Sequence, residues 1–223
     1  MKPRDTRMAE GEFVHVYSRG VRRSDIFHDQ RDFARFLFLI LHFQGEYYPT
    51  NISYAVSEYL KTDRFRITFD SIQKIISTRY VDLVEFTIMD NHLHLIIYER
   101  KEGGTSKFMQ RVLSAYAKYY NEKYKQSGHL FQGRFGRVHI NDNNQFLHLS
   151  AYIHRNQHEI PKWKGKEDKY PWSSLQDYVE VNRWPNLLAI NHILKQFDNP
   201  EDYRHFVNTS PAKTLKSDLL IDI

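Results

Sequence analysis

The chain has no cysteine among its 223 residues. Disulfides and thiolate–metal chemistry are therefore excluded, and any metal site must be built from His, Asn, Gln or carboxylate ligands. Such donors argue against structural zinc and for a harder catalytic ion. Also missing is any apolar run of ~18 residues, the length a membrane helix needs, and any basic-then-apolar amino terminus. A soluble, cytoplasmic protein with no membrane partner is the expectation. There is no internal repeat or low-complexity segment. The excess of 32 basic over 27 acidic residues, a net +5, favours a nucleic-acid partner only mildly.

What is present is enough apolar material for a real core: 41% hydrophobic and 15% aromatic residues, which speaks against wholesale disorder. One stretch organises the rest. VDLVEFTIMDNHLHLIIY, Val81 to Tyr98, reads as two strands joined by a tight turn at Asp90-Asn91. Side chains alternate along a strand, so His92, His94, Ile96 and Tyr98 share one face and Leu93, Leu95 and Ile97 the other. Two imidazoles rooted ~7 Å apart on one face can converge on a single ion. The aliphatic face calls for helices against it.

Glu12 to Arg19 reads as another strand, with Phe13, His15 and Tyr17 on one face. A helix is expected from Asp29 to Phe43 with Phe33, Phe36, Leu37, Ile40 and Leu41 buried. Two further helices are expected within 44–80, the second starting near a cap at Asp70. The next helix runs from Thr105 or Ser106 to Gln126, burying Phe108, Val112, Ala115 and Tyr119 and ending at Gly128. A strand-like GHLFQGRFGRVHIN follows, then a helix over 144–158 capped by Asp142 or Asn143. Residues 161–206 form an extension and 207–223 a tail.

On the 144–158 helix, Tyr152 and Asn156 fall one turn apart on one border of the apolar stripe. A phenol beside an amide is what a metal-assisted tyrosine nucleophile needs: the amide oxygen can be a third ligand to an ion held by His92 and His94. A free tyrosine, with a pKa near ~10, is a weak nucleophile at neutral pH. A divalent ion on a phosphate oxygen can polarise the phosphorus and orient it for in-line attack. Tyr116, Tyr119 and Tyr120 are rivals that read as packing residues, and Gln157 is an alternative amide on the apolar stripe. His154 and His158, four apart, read as a solvated helix face. Arg19, Arg22, Arg23, Arg134 and Arg137 are candidate phosphate contacts, and His148 a candidate substrate contact.

Five blocks carry a resemblance: HVYSRGVRRSDIF at 15–27, IMDNHLHLII at 88–97, KFMQRVLSAYAKYYNEKYKQSGHLFQGRFGRVHI at 107–140, FLHLSAYIHRN at 146–156 and YPWSSLQDY at 170–178. In this order they resemble the single-tyrosine HUH transposases, particularly the REP-associated tyrosine transposases related to small insertion-sequence transposases. The resemblance implies an α+β fold, a ferredoxin-like antiparallel sheet backed by helices. The catalytic domain would span 12–160, with an insert at 44–80. It further implies His92 and His94 as metal ligands with Asn156 as the third, Tyr152 as nucleophile, and Mg²⁺ or Mn²⁺ as cofactor. The implied reaction is cleavage and rejoining of single-stranded DNA near hairpins through a 5′-phosphotyrosine, by a monomer or homodimer. Three features depart from the family: Asp90 where proline is usual, Gln157 where proline commonly follows, and the insert. A domesticated hairpin-binding protein without cleavage activity is the alternative, and an RNA-directed protein a third reading.

Overall fold

The structure, a computed structural model, describes residues 8–211. The alternating segments become strands β1 (Phe13–Arg19), β2 (Val81–Met89), β3 (His92–Glu99) and β4 (Gly136–His139). They form one antiparallel sheet in the order β2-β3-β1-β4. Helical crossovers between β1 and β2 and between β3 and β4 make this the expected ferredoxin-like arrangement. The register fixes what the strands present together: Tyr17 and Thr87 flank His94, while Arg19 and Met89 flank His92. Directly opposed residues share a face, so these side chains and His15 stand on the histidine face.

The other face is aliphatic, as expected. Leu93, Leu95 and Ile97 are buried against α1 (Gln30–His42) and α4 (Gly104–Tyr124). Asp29 caps α1 by accepting from Asp32 N–H at 3.0 Å. The whole expected stripe of α1 is buried, but so are Phe38 and Leu39 on its outer side. The reason is the 44–80 segment, whose helices α2 (Ile52–Thr62) and α3 (Phe69–Ser77) bring Ala55, Val56, Tyr59 and Ile75 into the same core. Its cap is Thr68 rather than Asp70: Thr68 Oγ1 accepts from Ser71 N–H at 3.2 Å, while Asp70 pairs with Lys74 at 2.7 Å.

Two expectations for α4 are corrected. Tyr116, not Ala115 or Tyr119, completes its buried row with Phe108, Met109 and Val112. Spacing of four carries the row from 108 through 112 to 116, and the Tyr116 hydroxyl is satisfied by Ile26 C=O at 2.6 Å. The helix ends at Lys125 rather than Gly128, because Lys125 itself takes the left-handed cap conformation at φ 53° and Gln126 N–H returns to Asn121 C=O at 3.0 Å.

The histidine face is covered in part by α5 (Asn143–His154), α6 (Leu175–Val179) and α8 (Pro200–Thr209), with the short α7 (Asn191–Leu194) between the last two. Val84, Ile96, Leu149, Ile153, Tyr178 and Tyr203 form this second core. The segment after residue 160 also closes the free edge of β2, where Ile88 N–H donates to Trp172 C=O at 2.9 Å and Ala189 N–H to Leu83 C=O at 2.8 Å. An exposed edge strand invites pairing with another chain, and this coverage removes it. Trp172 stacks on Phe33 at 5.1 Å. Residues 207–209 of the expected tail complete α8, and the remainder from 212 onward lies outside the described residues. Among the described residues no helix is long and apolar enough to cross a membrane.

Candidate metal and tyrosine site

The turn before the histidines survives the exchange of proline for Asp90. Asp90 C=O accepts from Ile26 N–H (2.8 Å) and Phe27 N–H (3.0 Å), Gly20 N–H donates to Asn91 C=O (2.9 Å), and the Asn91 amide donates to Arg23 C=O (3.2 Å). The basic loop after β1 thus clamps the turn from outside. Asn91 also touches the site directly: His92 Nδ1 lies 2.6 Å from its side-chain oxygen, to which the ring N–H donates.

His92 is half-buried and His94 wholly buried, their rings nearly perpendicular with centroids 5.3 Å apart. His15, two residues ahead of Tyr17 on β1, lies against His94, its Nε2 2.9 Å from His94 Nδ1. Burial pushes His15 down to a pKa of about 3, so the ring is neutral at ordinary pH. Its other nitrogen, Nδ1, has no hydrogen-bond partner among the described residues. An unpaired buried nitrogen costs about 1–3 kcal/mol, which an apolar ring in the same space would not.

Above these rings lies the end of α5. Asp142 caps its start by accepting from Gln145 N–H at 2.8 Å. The helix does not run on to 158 as the periodicity predicts; it stops at His154 and becomes a 3₁₀ turn, Asn156–Glu159. The Asn156 amide causes this change, donating to Tyr152 C=O at 3.0 Å and Ile153 C=O at 3.3 Å in place of the N–H groups of a continuing helix. The same bonds keep Asn156 beside Tyr152 despite the break and leave Oδ1 as the end of the amide able to accept. Thr87, opposite His94 in the sheet, pins the helix end down by donating to Ile153 C=O at 3.0 Å.

Tyr152 is consequently held edge-on to His94, ring centroids 5.8 Å apart and planes at 83°. Burial first, and then the charge of Glu159, push its pKa up to about 12. At neutral pH the phenol keeps its proton.

Among the described residues no three His, Cys, Asp or Glu side chains gather as a metal cage. The groups brought together are two imidazoles and the Tyr152 phenol, with the Asn156 amide held beside Tyr152. That mixture fits a divalent ion completing its shell with substrate or water better than a closed structural site.

The candidate contacts distribute unevenly. Arg19 stands across from His92 on the same face. Arg22 and Arg23 are exposed in the clamping loop, and exposed Arg134 lies on a segment tied to it through Val21 N–H to Leu130 C=O (3.0 Å) and Gln132 N–H to Arg19 C=O (2.8 Å). Arg137 sits opposite Val16, hence on the aliphatic side of the sheet, and donates to Ser106 at 3.2 Å. His148 lies 2.9 Å from the Ser210 hydroxyl and packs on Phe206.

His154 is not part of a solvated face. It is fully buried between the Tyr203 hydroxyl (2.6 Å) and the Ser174 hydroxyl (2.8 Å), with Glu85 at 3.4 Å. Burial drives the His154 pKa well down and the Glu85 pKa well up, disfavouring the charged form of each. The helix break after His154 and the docking of α8 explain the difference: the face that periodicity leaves open is covered by the later segment. Residue-level reasoning also left His15 without a role. The alternation of β1 put it on the same face as Tyr17, but only the strand order brings that face to His94.

No curated protein sequence matches the chain. Residues 56–156 match the model of the IS200-like transposase family. Among solved structures, the chain is similar to a REP-associated tyrosine transposase bound to a REP hairpin, with a TM-score of 0.52 at 14% sequence identity, over 85% of this chain and 91% of that one. The matched residues 56–156 hold the paired histidines, Tyr152 and Asn156, and the chain carries the fold of a REP-associated tyrosine transposase.

Proposed function

We propose that this protein is a metal-dependent transesterase that cuts and rejoins single-stranded DNA beside hairpins. The observation that carries the reading is the meeting of Tyr152 with His94, and of His94 with His92, within one chain. Burial pushes the Tyr152 pKa up to about 12, so the phenol is protonated at neutral pH and its reaction needs a partner that draws the proton away. The phenol's position next to two histidines at a helix end supports reading it as the nucleophile.

His92 and His94, with Asn156 Oδ1, would hold Mg²⁺ or Mn²⁺. When bound, such an ion supplies positive charge for a scissile phosphate. Tyr152 Oη attacks phosphorus, loses its proton, and forms a new P–O bond; the bond to the 3′-oxygen breaks, and that oxygen leaves as a hydroxyl. One phosphodiester is exchanged for another, so the reverse attack by a 3′-hydroxyl reseals the strand without an external energy source. Arg19 beside His92, with Arg22, Arg23 and Arg134 on the adjoining loops, would neutralise flanking phosphates.

The test is a denaturing gel with hairpin-flanked single-stranded DNA and Mn²⁺. Wild-type protein should give a nuclease-resistant shifted band, and Tyr152→Phe should bind the hairpin equally well but give none. An undiminished band from the variant would overturn Tyr152 as nucleophile. Hairpin binding by the wild type with no band under any divalent ion would make it a hairpin-binding protein without cleavage activity.

A further inference from the structure

His15 is a buried polar residue against the histidine pair to which the proposed reaction gives no part. We infer that His15 is a positioning residue for the metal site: it accepts a hydrogen bond from His94 Nδ1–H and so fixes His94 as the tautomer whose Nε2 lone pair faces a metal ion. The inference deepens the proposed function and rests on its metal reading.

The argument is one of tautomers. A neutral imidazole carries one N–H and one lone pair, and either ring nitrogen can hold the proton. The 2.9 Å contact between His15 Nε2 and His94 Nδ1 admits two arrangements. If His15 donates, His94 Nδ1 is the acceptor, its proton sits on Nε2, and neither nitrogen of His94 can bind a metal. If His94 donates, its Nε2 is bare and able to coordinate. Metal-ligating histidines commonly have their second nitrogen fixed in this way by a carboxylate or carbonyl. Here a second imidazole stands in that place. The rings are nearly coplanar in orientation, 8° apart, and both are fully buried, so water cannot substitute for the contact.

The parallel contact on the other ligand supports the assignment. His92 Nδ1 meets the Asn91 side-chain oxygen, which can only accept, so His92 is also held with its proton on Nδ1 and Nε2 bare. Both histidines would then present the same nitrogen to one ion.

The direct measurement is the ¹⁵N spectrum of the histidine rings in metal-free wild-type protein. His94 should appear with Nδ1 protonated and Nε2 bare; a His94 protonated on Nε2 would overturn the inference. The second measurement is Mn²⁺ affinity by calorimetry. His15→Phe should remain folded in urea titrations yet bind Mn²⁺ at least tenfold more weakly. His15→Gln, whose amide oxygen reaches to the place of Nε2, should recover most of that loss. A folded His15→Phe with wild-type Mn²⁺ affinity would refute the positioning role. A wild-type protein with no Mn²⁺ affinity would overturn the metal reading of the site, while the tautomer spectrum would still decide the His15–His94 contact.

Discussion

Tyr152 and His94 of the same chain stand edge to face, ring centroids 5.8 Å apart. The tyrosine helix therefore reaches the histidine strand without a second subunit. Thr87 and the Asn156 amide both hold the helix end in this position. Mixing Tyr152→Phe protein with His94→Ala protein should accordingly yield no more DNA adduct than either alone. Adduct restored in the mixture, read on a denaturing gel, would mean that the helix is exchanged between partners.

Asn156 is asked to do two things that substitution can separate. Its Nδ2 closes α5 through Tyr152 C=O and Ile153 C=O, and its Oδ1 is the proposed third ligand. Asn156→Ala should lose both functions, costing about 1–2 kcal/mol in urea unfolding and weakening Mn²⁺ binding. Asn156→Asp keeps a ligand oxygen but faces two carbonyls with no donor. It should be as destabilised as the alanine variant while keeping Mn²⁺ affinity near the wild-type value. Equal Mn²⁺ loss in both variants would show that the residue acts only as the helix cap.

The contrast between His94 and His154 shows what was legible in the residues. His92 and His94 lie two apart on a strand, so their shared face followed from period two alone, as did the aliphatic face of Leu93, Leu95 and Ile97 opposite. Tyr152 and Asn156 followed from helical spacing, although the helix between them is broken; a side-chain amide replaced the backbone bond and preserved their proximity. His154 failed because its surroundings, Glu85, Ser174 and Tyr203, come from segments distant in sequence. His15 was visible on the correct face of β1, but its partner depended on the β1–β3 pairing, which no local pattern states. Local periodicity reveals faces; it does not reveal which faces meet.

Gly20 is where the basic loop has no room. A Cβ there would lie 2.1 Å from Ser24 C=O and 2.8 Å from the Ile26 side chain, and the first of these is backbone. Gly20→Ala must open the 20–27 turn that grips Asn91 and carries Arg22 and Arg23. We expect a loss of about 1–3 kcal/mol of stability, as for other overpacked sites. Hairpin affinity should fall by more than the loss of any single exposed arginine produces. An alanine variant with unchanged urea midpoint and unchanged hairpin binding would show that the turn yields without consequence.

Acid sensitivity should be traceable to a residue remote from the histidine face of the sheet. His42 is buried at the end of α1, stacked on Phe38 at 4.2 Å, with its Nδ1–H donating to Phe38 C=O at 2.8 Å. Burial lowers its pKa from 6.5 to about 4. Between those values the unfolded chain binds the extra proton and the folded chain does not, so stability falls as pH drops through this window. The slope is at most about 1.4 kcal/mol per pH unit for one such group. His15 and His154, also lowered by burial, act in the same direction. Glu85, raised by burial, acts oppositely and loses stability as pH rises through its own range. His42→Phe isolates one contribution: relative to wild type, it should gain about 2 kcal/mol in urea unfolding between pH 7 and pH 5. If the two proteins keep a constant difference across that interval, His42 takes up its proton in the folded state as readily as in the unfolded one.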